Sequence, residues 1–110
     1  MPEKLEYLDC CKEPVLETMK PLRGVSHETE SVRQCRHCGQ HWYYFLRETL
    51  HSGTSLDRIV WCCRLTAEEA GLVAASSHQE RHLLVDQRLG ILRDDEGVRK
   101  DAPRPPDKPT

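Results

Sequence analysis

Cys35-Arg36-His37-Cys38-Gly39 is the stretch whose residue types and spacing best fit a chemical task. Two thiolates separated by two residues can converge on one tetrahedral zinc, and a glycine after the second lets the backbone turn around the sulfurs without a Cβ in the way. The other ligands have to come from Cys10-Cys11, from Cys62-Cys63, or from His27, His37 and His41. If the following hairpin turns near Gly53, residue 62 faces residue 43 or 44. At ~3.3 Å per strand residue that is roughly 16 to 20 Å from the knuckle. Cys62 and Cys63 then read as small core residues beside Trp61. By elimination Cys10 and Cys11 form the second pair, given a turn at Lys12-Glu13-Pro14, because adjacent residues of an extended strand point to opposite faces. If the segment stays extended, one of the two ligates and Cys62 or a histidine completes the set. The expected centre is Zn2+ on Cys10, Cys11, Cys35 and Cys38.

Such a centre predicts a structural role. A catalytic zinc keeps three protein ligands and an open position, with a Glu or His nearby as general base. The sequence has no H-E-x-x-H, no deaminase-type H-x-E with P-C-x-x-C, and no glycine-rich phosphate loop. A redox dithiol would need a βαβ context around the C-x-x-C, which this pattern lacks. Glu48, His51 and Asp57 read as solvated residues near a turn. The chain is therefore expected not to be an enzyme.

The thiols belong to a chain of 110 residues, 37% apolar, a size at which one modest core commonly needs a staple. No apolar segment of secretory type follows Met1-Pro2-Glu3-Lys4, so the six cysteines are expected to stay reduced in the cytoplasm and to bind metal instead of pairing as disulfides. No apolar run reaches the length of a membrane span. The formal charge is -2, and a divalent ion with four thiolates takes it to about -4. That balance disfavours a nucleic-acid backbone as partner.

Around the cysteines the pattern predicts an α+β fold. Leu5, Leu8 and the first doublet form a short buried segment. Val15, Leu16, Met19 and Leu22 have helical spacing over two turns, limited by Pro21 and Gly24, and residues 24 to 31 read as a loop. From His41 to Leu50 alternation predicts a strand with Trp42, Tyr44, Leu46 and Leu50 inward. Leu56 to Leu65 is the return strand, and a third comes from the segment before Cys35 or from residues 5 to 11. Thr66-Ala67-Glu68-Glu69 is a capping box, and Ser77-His78-Gln79-Glu80 repeats it before a second short helix with Leu83 and Leu84, closed by Gly90; one bent helix through both segments fits equally well. The expected organisation is a domain over 1–92 and a disordered, proline-rich charged tail over 93–110.

The C-x-x-C-G knuckle at Cys35–Gly39 and the hairpin after it resemble the zinc ribbons, over roughly residues 10 to 65. The other knuckle departs from that pattern in being a Cys-Cys doublet. The resemblance implies a small antiparallel sheet of two to three strands, which the capping pattern follows with one or two C-terminal helices. It implies a structural zinc much more than any activity. The function expected is a protein-interaction module, an adaptor or a neutralising, immunity-like partner of another protein. The alternative is a single-stranded nucleic-acid binder that stacks bases on Trp42-Tyr43-Tyr44-Phe45.

Overall fold

A computed structural model describes residues 3–25, 28–51 and 55–105. The strands within them are β1 (Glu3–Lys4), β2 (Val15–Val25), β3 (Glu28–Cys35), β4 (His41–His51), β5 (Ser55–Leu65), β6 (Leu89–Asp94) and β7 (Gly97–Pro103), and the helices are α1 (Ala67–Ala74) and α2 (His78–Val85). Each strand pairs antiparallel with its neighbour in sequence, so a single seven-stranded sheet runs in the order β1 to β7. It forms a half-barrel. This overturns the expected ribbon of two to three strands with C-terminal helices. The two helices are an insertion between β5 and β6, and the chain returns to the sheet after them.

The central hairpin forms as the alternation predicts. Tyr44 faces Cys62 and Tyr43 faces Cys63. The turn expected at residues 51 to 55 falls largely on Ser52-Gly53-Thr54, outside the described residues. Its side chains depart from expectation in one respect, because the sheet buries both faces. Tyr43, Phe45, Trp61, Cys63 and Leu65 pack with Val32, Leu92 and the helix residues Ala70, Val73 and Val85. Trp42, Tyr44, Val60 and Cys62 pack on the other side with Leu5, Leu8, Leu16, Cys35 and Ile91. Strands covered twice carry near-continuous apolar runs, which is why Trp42–Phe45 and Ile59–Cys63 do not alternate cleanly with polar residues.

The segment expected to be a short helix is β2. Its only pairing with β1 is at Val15 and Leu16, so the rest of that edge carries no partner strand among the described residues and accommodates Pro21, which lacks an N–H. Register shifts between Thr18 and Lys20 and between Pro21 and Arg23 leave Met19 and Leu22 as extra residues. Bulges of this kind bend and twist a strand, which suits a curled sheet. Residues 28–35, expected in part as loop, supply β3, the strand before Cys35.

Thr66 caps α1 as predicted: its hydroxyl accepts from the Glu69 N–H at 3.1 Å, and the Glu69 carboxylate accepts from the Thr66 N–H at 2.9 Å. The Ser77 hydroxyl accepts from the Glu80 N–H at 3.3 Å. In α2, however, Leu83 and Leu84 face outward, and Arg81 and Val85 are the buried residues. Gly90 does not close this helix. It lies in β6, where a Cβ would sit 2.3 Å from the Cys62 carbonyl oxygen and 2.9 Å from the Trp61 ring.

The expected disordered tail is also corrected. β6 and β7 form a hairpin whose turn is set by Gly97, at φ 125°, and by the Asp94 carboxylate accepting from the Glu96 N–H at 2.9 Å. The β7 side chains are exposed or half-exposed, so composition alone suggests nothing to pack. Its backbone nevertheless completes the sheet, and the Trp61 indole donates to the Ala102 carbonyl at 2.9 Å. Beyond the strand, Arg104 reaches back to Glu30 at 3.7 Å, where Arg81 at 3.4 Å and the Tyr43 hydroxyl also converge. Glu30 is 1% exposed. Residues 106–110 lie outside the described residues.

Two measurements check these contacts. Gly90→Ala is expected to cost about 3 kcal/mol of unfolding free energy in denaturant titration, while Gly24→Ala, with nothing within 4 Å, stays near neutral. Deleting residues 97–110 removes β7 and one counter-charge of a buried carboxylate, so the Tm should fall by about 10 °C or more. An unchanged Tm would mean that the C-terminal hairpin stabilises nothing.

Candidate metal centre

The first loop, residues 5–14, starts and ends at the sheet edge, where the Leu5 N–H donates to the Pro14 carbonyl at 3.0 Å. Leu5 and Leu8 anchor it on the Trp42 face of the sheet, and residues 10–13 form a bend. That bend allows Cys10 and Cys11 to turn to the same side. The second loop joins β3 to β4. There the Gly39 N–H donates to the Cys35 carbonyl and the Cys35 N–H to the Gln40 carbonyl, both at 2.9 Å. Gly39 has φ 81°, the left-handed conformation that the knuckle needs after its second cysteine.

These two loops bring the sulfurs of Cys10, Cys11, Cys35 and Cys38 within 4.8 Å of one another, a group that could hold a metal ion. Among the described residues no other cluster of this kind occurs. All four are free thiols. The Cys11 and Cys35 sulfurs are 3.8 Å apart, far longer than the ~2.05 Å of a disulfide. It equals the edge of about 3.8 Å expected for a tetrahedron with metal–sulfur bonds of ~2.3 Å. The donor set and its spacing therefore fit a tetrahedral ion with an affinity for thiolates.

The local electrostatics divide the four thiols. Burial pushes the Cys35 thiol up, but hydrogen bonds to its sulfur from the backbone of Val15, Cys38 and His37 outweigh burial and bring it down to about 6. Cys10 is held above its ordinary value by burial first and then by the neighbouring Cys38 and Cys35; the Trp42 indole works in the opposite direction. Burial also raises Cys11. One ready thiolate among reluctant thiols suits a site that a cation completes, since binding displaces the remaining protons.

His37 and His41 take other places than that of ligand. The His37 Nδ1–H donates to the Glu13 carbonyl at 2.6 Å, tying one loop to the other. His41 opens β4 opposite Leu65, and with Cys10, Cys38, Arg64 and Glu69 it lines an open cleft of about 590 Å³. His27 lies outside the described residues. Cys62 and Cys63 point to opposite faces of β5 and belong to the two halves of the core. Burial raises both thiols, Cys63 to about 12.

Two neighbours of the centre were not singled out from sequence. Arg64 lies 2.7 Å from Asp9 and stacks over Trp42, its guanidinium carbon 5.6 Å from the ring centroid, and it lines the same cleft as Cys10 and Cys38. Gln40 donates to the carbonyls of His41 and Leu65, both at 2.9 Å, and so fastens the knuckle to the end of β5. The signal for Arg64 was its place two residues after a buried cysteine on the strand opposite Trp42, legible only once the hairpin register is known.

No protein-family model, curated protein or solved structure matches this chain. The resemblance to zinc ribbons thus rests on the knuckle and its hairpin alone, set in a larger sheet.

Single cysteine substitutions check the ligand set. Ser at position 10, 11, 35 or 38 should abolish metal retention on a desalting column. Cys62→Ser and Cys63→Ser should keep the metal and lose on the order of 1 to 3 kcal/mol of stability through a buried hydroxyl. Metal lost on changing Cys62 and retained on changing Cys10 would refute the assignment.

Proposed function

We propose that this chain is a structural-zinc protein-interaction module of a reducing compartment such as the cytoplasm. The observation that carries the reading is the convergence of four thiol sulfurs from two loops within 4.8 Å. Held by Cys10, Cys11, Cys35 and Cys38, a zinc ion would cross-link the first loop to the knuckle and contribute folding free energy. Four thiolates leave no open position for substrate or activated water, which supports a role in architecture and not in catalysis.

The task of binding another protein rests on what the surface offers. Met19, Leu72, Leu83, Leu89 and Val98 are large apolar side chains left exposed. The net charge of -2, more negative with a tetrathiolate centre, suits a basic partner and agrees with an adaptor or a neutralising, immunity-like role. Stacking of bases on the aromatic strand finds no support, since Trp42, Tyr43, Tyr44 and Phe45 are at most 1% exposed. Among the described residues no helix is long and apolar enough to cross a membrane.

Metal analysis tests the first half of the reading. Freshly purified, reduced protein should carry one equivalent of zinc, and a zinc-free chain that melts cooperatively would refute it. For the second half, a stoichiometric protein should be captured from native lysate with and without nuclease, and Leu72→Glu/Leu83→Glu should lose it at unchanged Tm. Capture that disappears with nuclease would point to nucleic acid instead.

A further inference from the structure

Both tryptophans are buried, yet they differ in one respect. The Trp61 indole N–H has a carbonyl acceptor, Ala102 at 2.9 Å. The Trp42 Nε1–H is buried and meets no acceptor at hydrogen-bond geometry among the described residues. Buried polar groups are rarely left so, and an orphaned donor commonly marks an absent partner or ion. Trp42 belongs to the same half of the core as Cys35, and Cys10 and Cys11 pack against that half, so the indole and these cysteines share one side of the sheet.

We propose that Trp42 Nε1–H donates a hydrogen bond to the metal-bound Cys10 thiolate, and that Trp42 with Arg64 tunes the ion's affinity. The inference rests on the metal centre proposed above and assigns its surroundings a role. A protonated thiol is a weak acceptor, so the apo centre gives the indole little to bond to. Metal binding replaces the proton with a cation and leaves a charged sulfur, to which an N–H donor bonds more strongly. The Cys10 sulfur is within the indole's reach. A tetrathiolate zinc also carries a net charge of about -2, which has to be offset in a half-buried place. Arg64 supplies one positive charge there: it lines the cleft with Cys10 and Cys38 and is held over the Trp42 ring by Asp9, with 2.7 Å to Oδ1 and 3.1 Å to the carbonyl. Trp42 is thus a positioning residue for a ligand sulfur, where a purely apolar role would need only its area.

The test separates the N–H from the ring. The full chain is prepared with β-(3-benzothienyl)alanine at position 42, which keeps the size and shape of the indole but has no N–H, and a parallel sample carries Trp42→Phe. Each is loaded with cobalt(II) as a spectroscopic probe, and zinc affinity is measured by competition with a chelator. The wild-type chain should show a sulfur-to-cobalt charge-transfer band together with the intense visible bands of tetrahedral cobalt. Removing the N–H should shift the charge-transfer band to lower energy, because a sulfur lone pair no longer bonded to a donor is easier to ionise. It should also weaken zinc about 10- to 100-fold while tetrahedral coordination persists. An isostere with an unchanged band and unchanged affinity overturns the role of Trp42 and leaves the metal centre standing. A wild-type chain with no sulfur-to-cobalt band removes the metal centre itself and the inference with it.

Discussion

A sheet that is apolar on both faces has to be covered twice, and the arrangement of this molecule follows from that requirement. On one face the cover is helical, and α1 and α2 bring Ala70, Val73 and Val85 over Tyr43, Phe45 and Trp61. On the other face the cover is the first loop, in which Leu5, Leu8 and Pro14 are the buried side chains. A ten-residue loop with three such anchors gains little from burial against the backbone entropy it gives up. The four cysteines lie where that loop meets the sheet, and the His37 bond to Glu13 adds a second tie at the same place. A cross-link there converts a weakly held flap into a lid on the Trp42 face.

The helical side has its own fastening, of a different kind. Glu30 on β3 is buried among Arg81 of α2, Arg104 after β7 and the Tyr43 hydroxyl. Burial and the neighbouring carboxylate both raise the Tyr43 phenol, so it stays a neutral donor to that carboxylate. A buried carboxylate is costly unless paired and hydrogen-bonded, and removal of one partner is far more damaging than replacement of the whole set. The pairing therefore adds specificity: it fixes which face α2 presents and where Arg104 lies after β7.

How much of this was legible in the residues depended on how local each signal was. The knuckle, the hairpin register, the capping box at Thr66 and the core placement of Cys62 and Cys63 all follow from spacing over a few residues, and each is present. The four cysteines named from spacing are the four that converge. What was misread depended on distant partners. Pro21 forbids a long helix, but it marks β2 as a strand only if that stretch of the edge is unpaired. Gly90 resembles a helix stop until the Cys62 carbonyl and the Trp61 ring are seen beside it. The charged C-terminal stretch has no periodicity, because an edge strand can be ordered by its backbone while its side chains face water, and such charges guard the edge against further pairing. Glu30, Arg81 and Arg104 are each ordinary surface residues by type, and only the tertiary fold brings them together.

The order of the strands also bears on how the chain reaches this structure. Since each strand pairs with its neighbour in sequence, most of the sheet is assembled from hairpins, each closing a short loop at little entropic cost. Low sequence separation of contacts favours fast folding. Among the long-range closures, Cys11 meets Cys35 across 24 residues, and Arg104 returns to Glu30 from the far end of the sheet. The hairpins between the partners have to position them first, so both are expected to form late in folding. Interactions made that late act mainly on the rate of unfolding. The metal and the buried ion pairs would then serve less to direct the chain to its fold than to keep it from leaving.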